Sequence, residues 1–533
     1  MSAPRWLIAV VVLAAVVGIV VVDRTTGGAP EAPDPIDRLM STVAVEAAPN
    51  STAYCAAGSA RGPDGPAEQI VVAANTSEEA REVTFTIYPD QGEPQQQQRT
   101  IGPKSRESLR VADVLAARWA GVLVEADGGG VAVDHVVDGP TGSSAGPCAT
   151  SASATWYFPA SSTLLGVRNR VALFNPFAQA AVVDIEAETA EGRRRPNELQ
   201  GLLVNPRSVR VVDLDTAVTV RDQVAVAVTA RSGLVVAEQL EIVTAEAEVL
   251  PTSLSVSLGA PGPATSWYFP LGAPVLDRVE QQYVVFNPTD EVADVDVQIL
   301  IDEPAVNGFV EPFEITIRPG QYTVVNLGDE ARVPDGIALG AYVESINDVP
   351  VVAARVIRSG STTAAASAAG VGGPGSSITV GAPLLATRWV VPFAGVRGGN
   401  GVRVALSNLG LRESEVTITA YAGGNPVPLA NAGAVTVPAG NRLEVELLDG
   451  QESGGVVLVV TSTQPIAVER GVDLTGDGFM QAPAVAVATS TSRPPPALPD
   501  TSTSPTVVLD GRSSIPPTTV VPTSSSSIPE TQG

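Results

Sequence analysis

Few side chains in this chain have the type and spacing for chemistry, and they lie far apart. The single histidine, His135, stands in the run Val131-Ala132-Val133-Asp134-His135-Val136-Val137. Without a second imidazole, most zinc sites and any triad must use it or do without. The alternation reads as a strand, with His135 facing solvent or a cross-strand partner. Gly142-Ser143-Ser144-Ala145-Gly146 spells G-x-S-x-G, but a nucleophile elbow needs a buried strand before the serine and a helix after it, and Gly and Pro surround it here. Asp473-Leu474-Thr475-Gly476-Asp477-Gly478 puts oxygen ligands at positions one, three and five and glycine at six, like the opening of a calcium loop. Its twelfth position is Ala484 instead of glutamate and no helices flank it. Asp473, Thr475 and Asp477 are therefore a weak calcium candidate, and an acidic turn is the simpler reading. Arg193-Arg194-Arg195 reads as a solvated loop. Trp156-Tyr157 and Trp267-Tyr268 read as anchors of first strands before sugar-stacking platforms. Carboxylate pairs for glycoside cleavage cannot be singled out among 57 acidic residues. The sequence assigns no catalytic residue and no cofactor.

Cys55 and Cys148 are the only cysteines. So wide a spacing reads as a disulfide, since metal and redox pairs usually sit about two residues apart. It would staple the first domain end to end, worth about 4–5 kcal/mol in the chain-entropy view.

The elements that would carry these residues recur. Strand ends close on Asn75, Asn175, Asn287 and Asn408, spaced by 100, 112 and 121 residues, the size of whole domains. Trp156-Tyr157-Phe158-Pro159 and Trp267-Tyr268-Phe269-Pro270 open the second and third copies, and Arg388-Trp389-Val390-Val391-Pro392-Phe393 the fourth; Ala53-Tyr54-Cys55 stands in their place in the first. Each opening leads through the asparagine to further alternating runs, about seven short strands in 90 residues in the second copy. With aromatics at 4% and Val, Ala and Gly abundant, the expectation is all-β, with four tandem immunoglobulin-like β-sandwiches at 50–149, 150–262, 263–378 and 379–487. The repeated asparagines should bond nearby backbone at a turn. Segments 139–154, 258–265 and 364–377, rich in Gly, Ala, Ser and Pro, read as linkers, making beads on a semi-flexible string.

The ends supply an address. Trp6–Val22 is an uncharged run of 17 residues followed by Asp23-Arg24 without a clean cleavage site, which reads as a signal-anchor helix within residues 1–24. Residues 25–49 read as a spacer. Of the 45 residues from Thr489 to Gly533, 28 are Ser, Thr or Pro, so the stretch 488–533 reads as a disordered tail. A net charge of −25 leaves nothing to neutralise phosphates, which argues against nucleic acid as partner. A single pass with the bulk outside the cell membrane follows.

On the Trp-Tyr-Phe-Pro openings, the Phe-Asn-Pro strand ends and the N-terminal apolar run, the chain resembles an uncharacterised family of membrane-anchored, exported actinobacterial proteins. The resemblance implies an extracytoplasmic location over roughly residues 50–485 and assigns no activity. The expected function is a non-enzymatic envelope scaffold or adhesion protein, with envelope proteins or cell-wall polymers as partners and the membrane held through the N-terminal helix. The alternative is a protein that binds or processes cell-wall carbohydrate.

Overall fold

Period-two alternation becomes strand along most of the described residues. The computed structural model describes residues 38–61, 65–301, 310–392, 400–428, 433–447, 456–474 and 478–488. Trp6–Val22, Thr475, Asp477 and residues 489–533 lie outside them. No helix among the described residues is long and apolar enough to cross a membrane.

The strands fall into four repeats, each with two antiparallel sheets in the same order. In the first, one sheet runs β2 (Ser51–Cys55), β7 (Ala120–Ala126), β4 (Arg81–Pro89), β5 (Gln95–Ile101); the other runs β6 (Ser105–Arg110), β3 (Glu68–Asn75), β8 (Val131–Gly139), β9 (Gly142–Pro147). The second has β10 (Thr155–Phe158), β16 (Ala225–Ser232) and β12 (Ala181–Thr189), with β13 (Gly192–Arg194) and β14 (Leu202–Val204) beside β12. Facing them are β15 (Ser208–Asp213), β11 (Val167–Asn175), β17 (Val236–Val243) and β18 (Ser253–Leu258). The third repeats this with β19 (Ser266–Phe269), β24 (Leu339–Ser345), β21 (Ala293–Ile301), β22 (Phe313–Ile317) and with β23 (Tyr322–Asn326), β20 (Val279–Phe286), β25 (Val352–Ser359), β26 (Gly375–Val380). In the fourth, β33 (Val457–Leu474) is long enough to serve both sheets. It joins β27 (Ala386–Val391), β29 (Ser414–Ala422), β30 (Asn425–Val427) and β31 (Ala434–Val437) to β32 (Asn441–Glu446), β28 (Asn400–Asn408) and β34 (Gly478–Pro483).

Each pair of sheets shares an apolar interior. In the first repeat Val71, Ala73, Phe85, Val122 and Val133 meet there; in the second and third the interior closes around Trp156 and Trp267. The indole Nε1 of Trp156 donates to Val235 O (2.8 Å) and that of Trp267 to Val351 O (2.7 Å), which satisfies the one polar atom each ring buries. The four asparagines do the same work at each strand end. Asn287 Nδ2 donates to Glu291 O (2.7 Å) and Ile317 O (3.0 Å) while its Oδ1 accepts from Thr289 N (3.0 Å). Asn75, Asn175 and Asn408 make the matching bonds, and all four are fully buried.

Cys55 and Cys148 form a disulfide, with Cα atoms 4.7 Å apart. The register explains its place. Tyr54, Tyr157 and Tyr268 bridge to Ala149, Ala260 and Ala382, so Cys55 occupies the position of Phe158 and Phe269, and Cys148 that of Gly259 and Gly381. In the second and third repeats the phenylalanine ring lies so close over the glycine that an added Cβ would come within 2.8 Å and 2.7 Å of it. The first repeat replaces that contact with a covalent bond.

The stretches read as linkers are built into the fold. Residues 142–147 and 375–380 are the edge strands β9 and β26, and Ala364–Ala368 is one helical turn that buries Ala366. Residues 38–49, in the stretch read as a spacer, are packed too. β1 (Thr42–Val43) pairs parallel with β35 (Val485–Val487), which pairs with β27, and Ser41 Oγ donates to Cys148 O (2.7 Å). The string-of-beads expectation is therefore corrected. β9 packs on β18, β18 on β26, β26 on β34, and β34 back on β9, so the repeats close on one another in cyclic order.

Candidate functional site

The strands that meet at the centre carry small and hydroxylated side chains because four backbones crowd together there. The third residue of β9, β18 and β26 is Ser144, Ser255 and Ser377. Each hydroxyl accepts a hydrogen bond from the fourth residue of the next edge strand: Val256 N (3.0 Å), Ile378 N (3.0 Å) and Gln481 N (3.2 Å). In β34 the third residue is Met480, and the last seam is apolar, with Met480, Val72, Val136 and Ala145 in one cluster. Ser144 of the G-x-S-x-G spelling is thus a buried seam contact on an edge strand, and its Oγ is engaged by a backbone amide. Where these strands end, a cavity of about 50 Å³ is lined by all four and by Leu39, Met40 and Ser41.

Beside this axis each seam is a polar lock. β8, β17, β25 and β33 carry the register-equivalent pairs Asp134-His135, Glu238-Gln239, Ala354-Arg355 and Glu469-Arg470. The acids Asp134, Glu238 and Glu469 meet the preceding repeat, and His135, Arg355 and Arg470 meet the repeat that follows, while Gln239 bonds Asn169 within its own repeat (3.0 Å). Glu469 thereby meets Arg355 in a two-pronged pair (2.7 and 2.9 Å) and accepts from Leu271 N (2.9 Å). Both side chains are all but fully buried. Glu238 meets His135 (Nε2 to Oε2, 3.4 Å) and accepts from Ala57 N (2.6 Å). Asp134 of the first repeat meets Arg470 of the fourth, and Arg106 Nη1 donates across the same seam to Pro392 O (3.0 Å). Between the second and third repeats Ala354 carries no charge; Arg358 instead approaches Glu241 (3.7 Å), which accepts from Ser162 N (2.8 Å).

Burial sets the protonation of these groups. It pushes Glu238 up to about 8, against the opposing pull of the Ala56 and Ala57 amides, and His135 down to about 4. At neutral pH the two therefore face each other as an uncharged acid and an uncharged imidazole. Among the described residues Glu238 Oε1 has no hydrogen-bond partner, which raises the cost of ionising it further. Glu241 is also raised by burial, and Arg106 is lowered to about 10 by the same cause. Desolvated charges with perturbed pKa values often mark active sites. Here each is enclosed between two repeats, against backbone groups or ionisable side chains of the neighbouring repeat, an arrangement suited to fixing interfaces.

The other sequence candidates scatter. His135 faces Gln69 and Glu238 in the seam instead of solvent. Asp473 is buried at the end of β33, its carboxyl pushed up by that burial, while Thr475 and Asp477 are outside the described residues. Among the described residues no group of three or more His, Cys, Asp or Glu is placed to hold a metal ion. Arg193 and Arg195 lie on β13 and just after it and pair with Glu188 (3.4 Å) and Glu186 (2.7 Å). Trp156 and Trp267 are buried, which removes both as sugar platforms. A polar groove of about 310 Å³ does open between the first two repeats, lined by Asp90, Arg118, Trp119, Asn205, Arg210 and Asp213 among others.

Apart from His135, the seam residues do not stand out one strand at a time. Their signal was available: a polar or charged pair at the same register in three of the four equivalent strands, each flanked by apolar residues on both sides.

Against this geometry, residues 131–375, from β8 to the first residue of β26, match a family of unknown function, DUF5719. No curated protein matches the chain at a significant level. Among solved structures, Thermotoga maritima 1070 aligns at 21% identity over 22% of this chain and 94% of its own, with a TM-score of 0.18. A tetra-tandem repeat from the extending region of a large adhesion protein aligns at 11% identity over 85% and 98%, TM-score 0.10. Escherichia coli alpha-2-macroglobulin aligns at 12% over 86% and 32%, TM-score 0.11.

Proposed function

We propose that this chain is a non-enzymatic, membrane-anchored scaffold or interaction protein of the cell envelope, with its bulk outside the membrane and four immunoglobulin-like sandwiches joined into one body. The carrying observation is where the desolvated ionisable groups go: Asp134, His135, Glu238, Glu241, Arg355, Glu469 and Arg470 are spent on seams between repeats. The apolar run Trp6–Val22 and the Cys55–Cys148 disulfide support an exported, anchored chain. Cyclic packing replaces the reach of a stalk with a fixed display of several surfaces, so that partners among envelope proteins or wall polymers meet preformed contacts at little ordering cost. A pull-down with the full-length chain against envelope proteins and wall polymers tests this. Specific retention of a small set supports it, and a profile no different from an unrelated acidic protein overturns it.

A second reading, carbohydrate binding, is favoured by the polar groove at Asp90, Arg118 and Arg210, where guanidinium, carboxylate and amide groups converge. Glycan-array binding lost on Arg118→Ala supports that reading over the first.

A further inference from the structure

The first sheet of every repeat ends in an outward edge, and three of the four edges are blunt. In the second repeat the edge is β13 and β14, three residues each. In the fourth it is β30 and β31, three and four residues. In the third it is the five residues of β22. The first repeat differs. β5 runs seven residues, pairs with β4 along its full length, and has no strand on its other side among the described residues. An unpaired strand edge presents N–H and C=O groups as a template for another strand, and proteins usually break it with proline, lysine or a bulge. β5 has none of these: its first four residues are Gln95-Gln96-Gln97-Gln98, and only Ile101 is buried.

We propose that β5 is a pairing surface for a second copy of this chain, through antiparallel β5–β5 addition about a two-fold axis at Gln96. The flanking charges argue for that occupant. Glu93 is exposed, and Arg99 reaches only Gln97 Oε1 (3.4 Å) and Gln98 O (3.1 Å). Neither makes an ion pair among the described residues. They lie three residues either side of Gln96, so antiparallel pairing about that residue sets Arg99 of each copy opposite Glu93 of the other. Gln95 then faces Gln97, Gln96 faces itself, and Pro94, which lacks an N–H, faces Gln98 and ends the ladder. Such an isologous contact closes on itself as a dimer, and glutamine amides can both donate to and accept from their own copies.

Sedimentation velocity on the full-length chain across a wide concentration range tests the proposal. The wild type should pass from monomer to dimer. Glu93→Arg and Arg99→Glu should each weaken association about tenfold by placing like charges opposite one another twice per dimer, and the swapped double variant should restore it. Gln96→Lys should weaken it too, by setting two ammonium groups across the axis. All three sites are exposed, and unchanged thermal unfolding confirms an intact fold. A monomer at every concentration, a dimer indifferent to these substitutions, or association only with an added extended peptide would each overturn the proposal.

Discussion

Replacing Glu469 with alanine should be among the most damaging single changes away from any apolar core. Glu469 holds Arg355 through two hydrogen bonds of 2.7 and 2.9 Å and also accepts from Leu271 N. The guanidinium is fully buried, so the variant leaves a desolvated charge with Leu271 O as its remaining partner at that end. An orphaned buried charge costs about 3–5 kcal/mol, and the lost acceptor for Leu271 N falls partly within that figure, so a total of about 4 kcal/mol is expected. Urea unfolding followed by the fluorescence of Trp267 and Trp389, in the repeats on either side of this seam, measures it. Glu469→Gln should fall in between, since it keeps an acceptor for the amide but not the charge. Substituting methionine at both 355 and 469 should recover most of the loss, because two apolar side chains of similar length leave no charge behind. A loss below about 1 kcal/mol for Glu469→Ala would refute the reasoning, since that is the scale of an exposed pair.

The seam between the first two repeats should show opposing pH dependences. Glu238, raised from 4.5 to about 8, keeps a proton the unfolded chain gives up, so stability falls as pH rises from 4.5 to 8. His135, lowered from 6.5 to about 4, refuses a proton the unfolded chain takes, so stability falls as pH drops from 6.5 to 4. The two slopes offset between 4.5 and 6.5, and the decline above 6.5 should vanish in Glu238→Gln when melting temperature is followed against pH. Asn287→Ala should cost about 2–4 kcal/mol in urea unfolding, since it strands the buried carbonyl of Ile317 and the amide of Thr289 together. Reducing Cys55–Cys148 should cost about 4 kcal/mol by the chain-entropy estimate, and mass spectrometry of exchanged amides should place the loss in the first repeat.

Strand content, the fourfold recurrence and the disulfide were legible because each rests on local or countable signals: alternation, turn chemistry at Asn75, Asn175, Asn287 and Asn408, and one pair of cysteines. The seams were not, because a charge within a period-two run reads as the solvent face of a half-buried strand. Glu238 and Glu469 do point away from their own interiors, but into a neighbouring repeat. Small residues misled in a similar way. Gly375 and Ser377 suggest slack linkers, yet Gly375 would set a Cβ 3.1 Å from the Gly478 backbone; they are small because another strand lies against them. Ala53 in place of tryptophan made the first repeat look divergent, whereas Phe85 and the disulfide fill its interior in compensation.

The central claim is that the first repeat closes on the fourth. Lys104 lies over the Tyr421 ring, 5.8 Å from its centroid, and its carbonyl accepts from Gly424 N (3.3 Å). Spin labels at Lys104→Cys and Asn425→Cys, read by pulsed dipolar spectroscopy, should report one narrow distance of about 20 Å or less. Repeats of this size strung in a row would hold the labels about 100 Å apart, and a broad distribution toward that value would contradict the account.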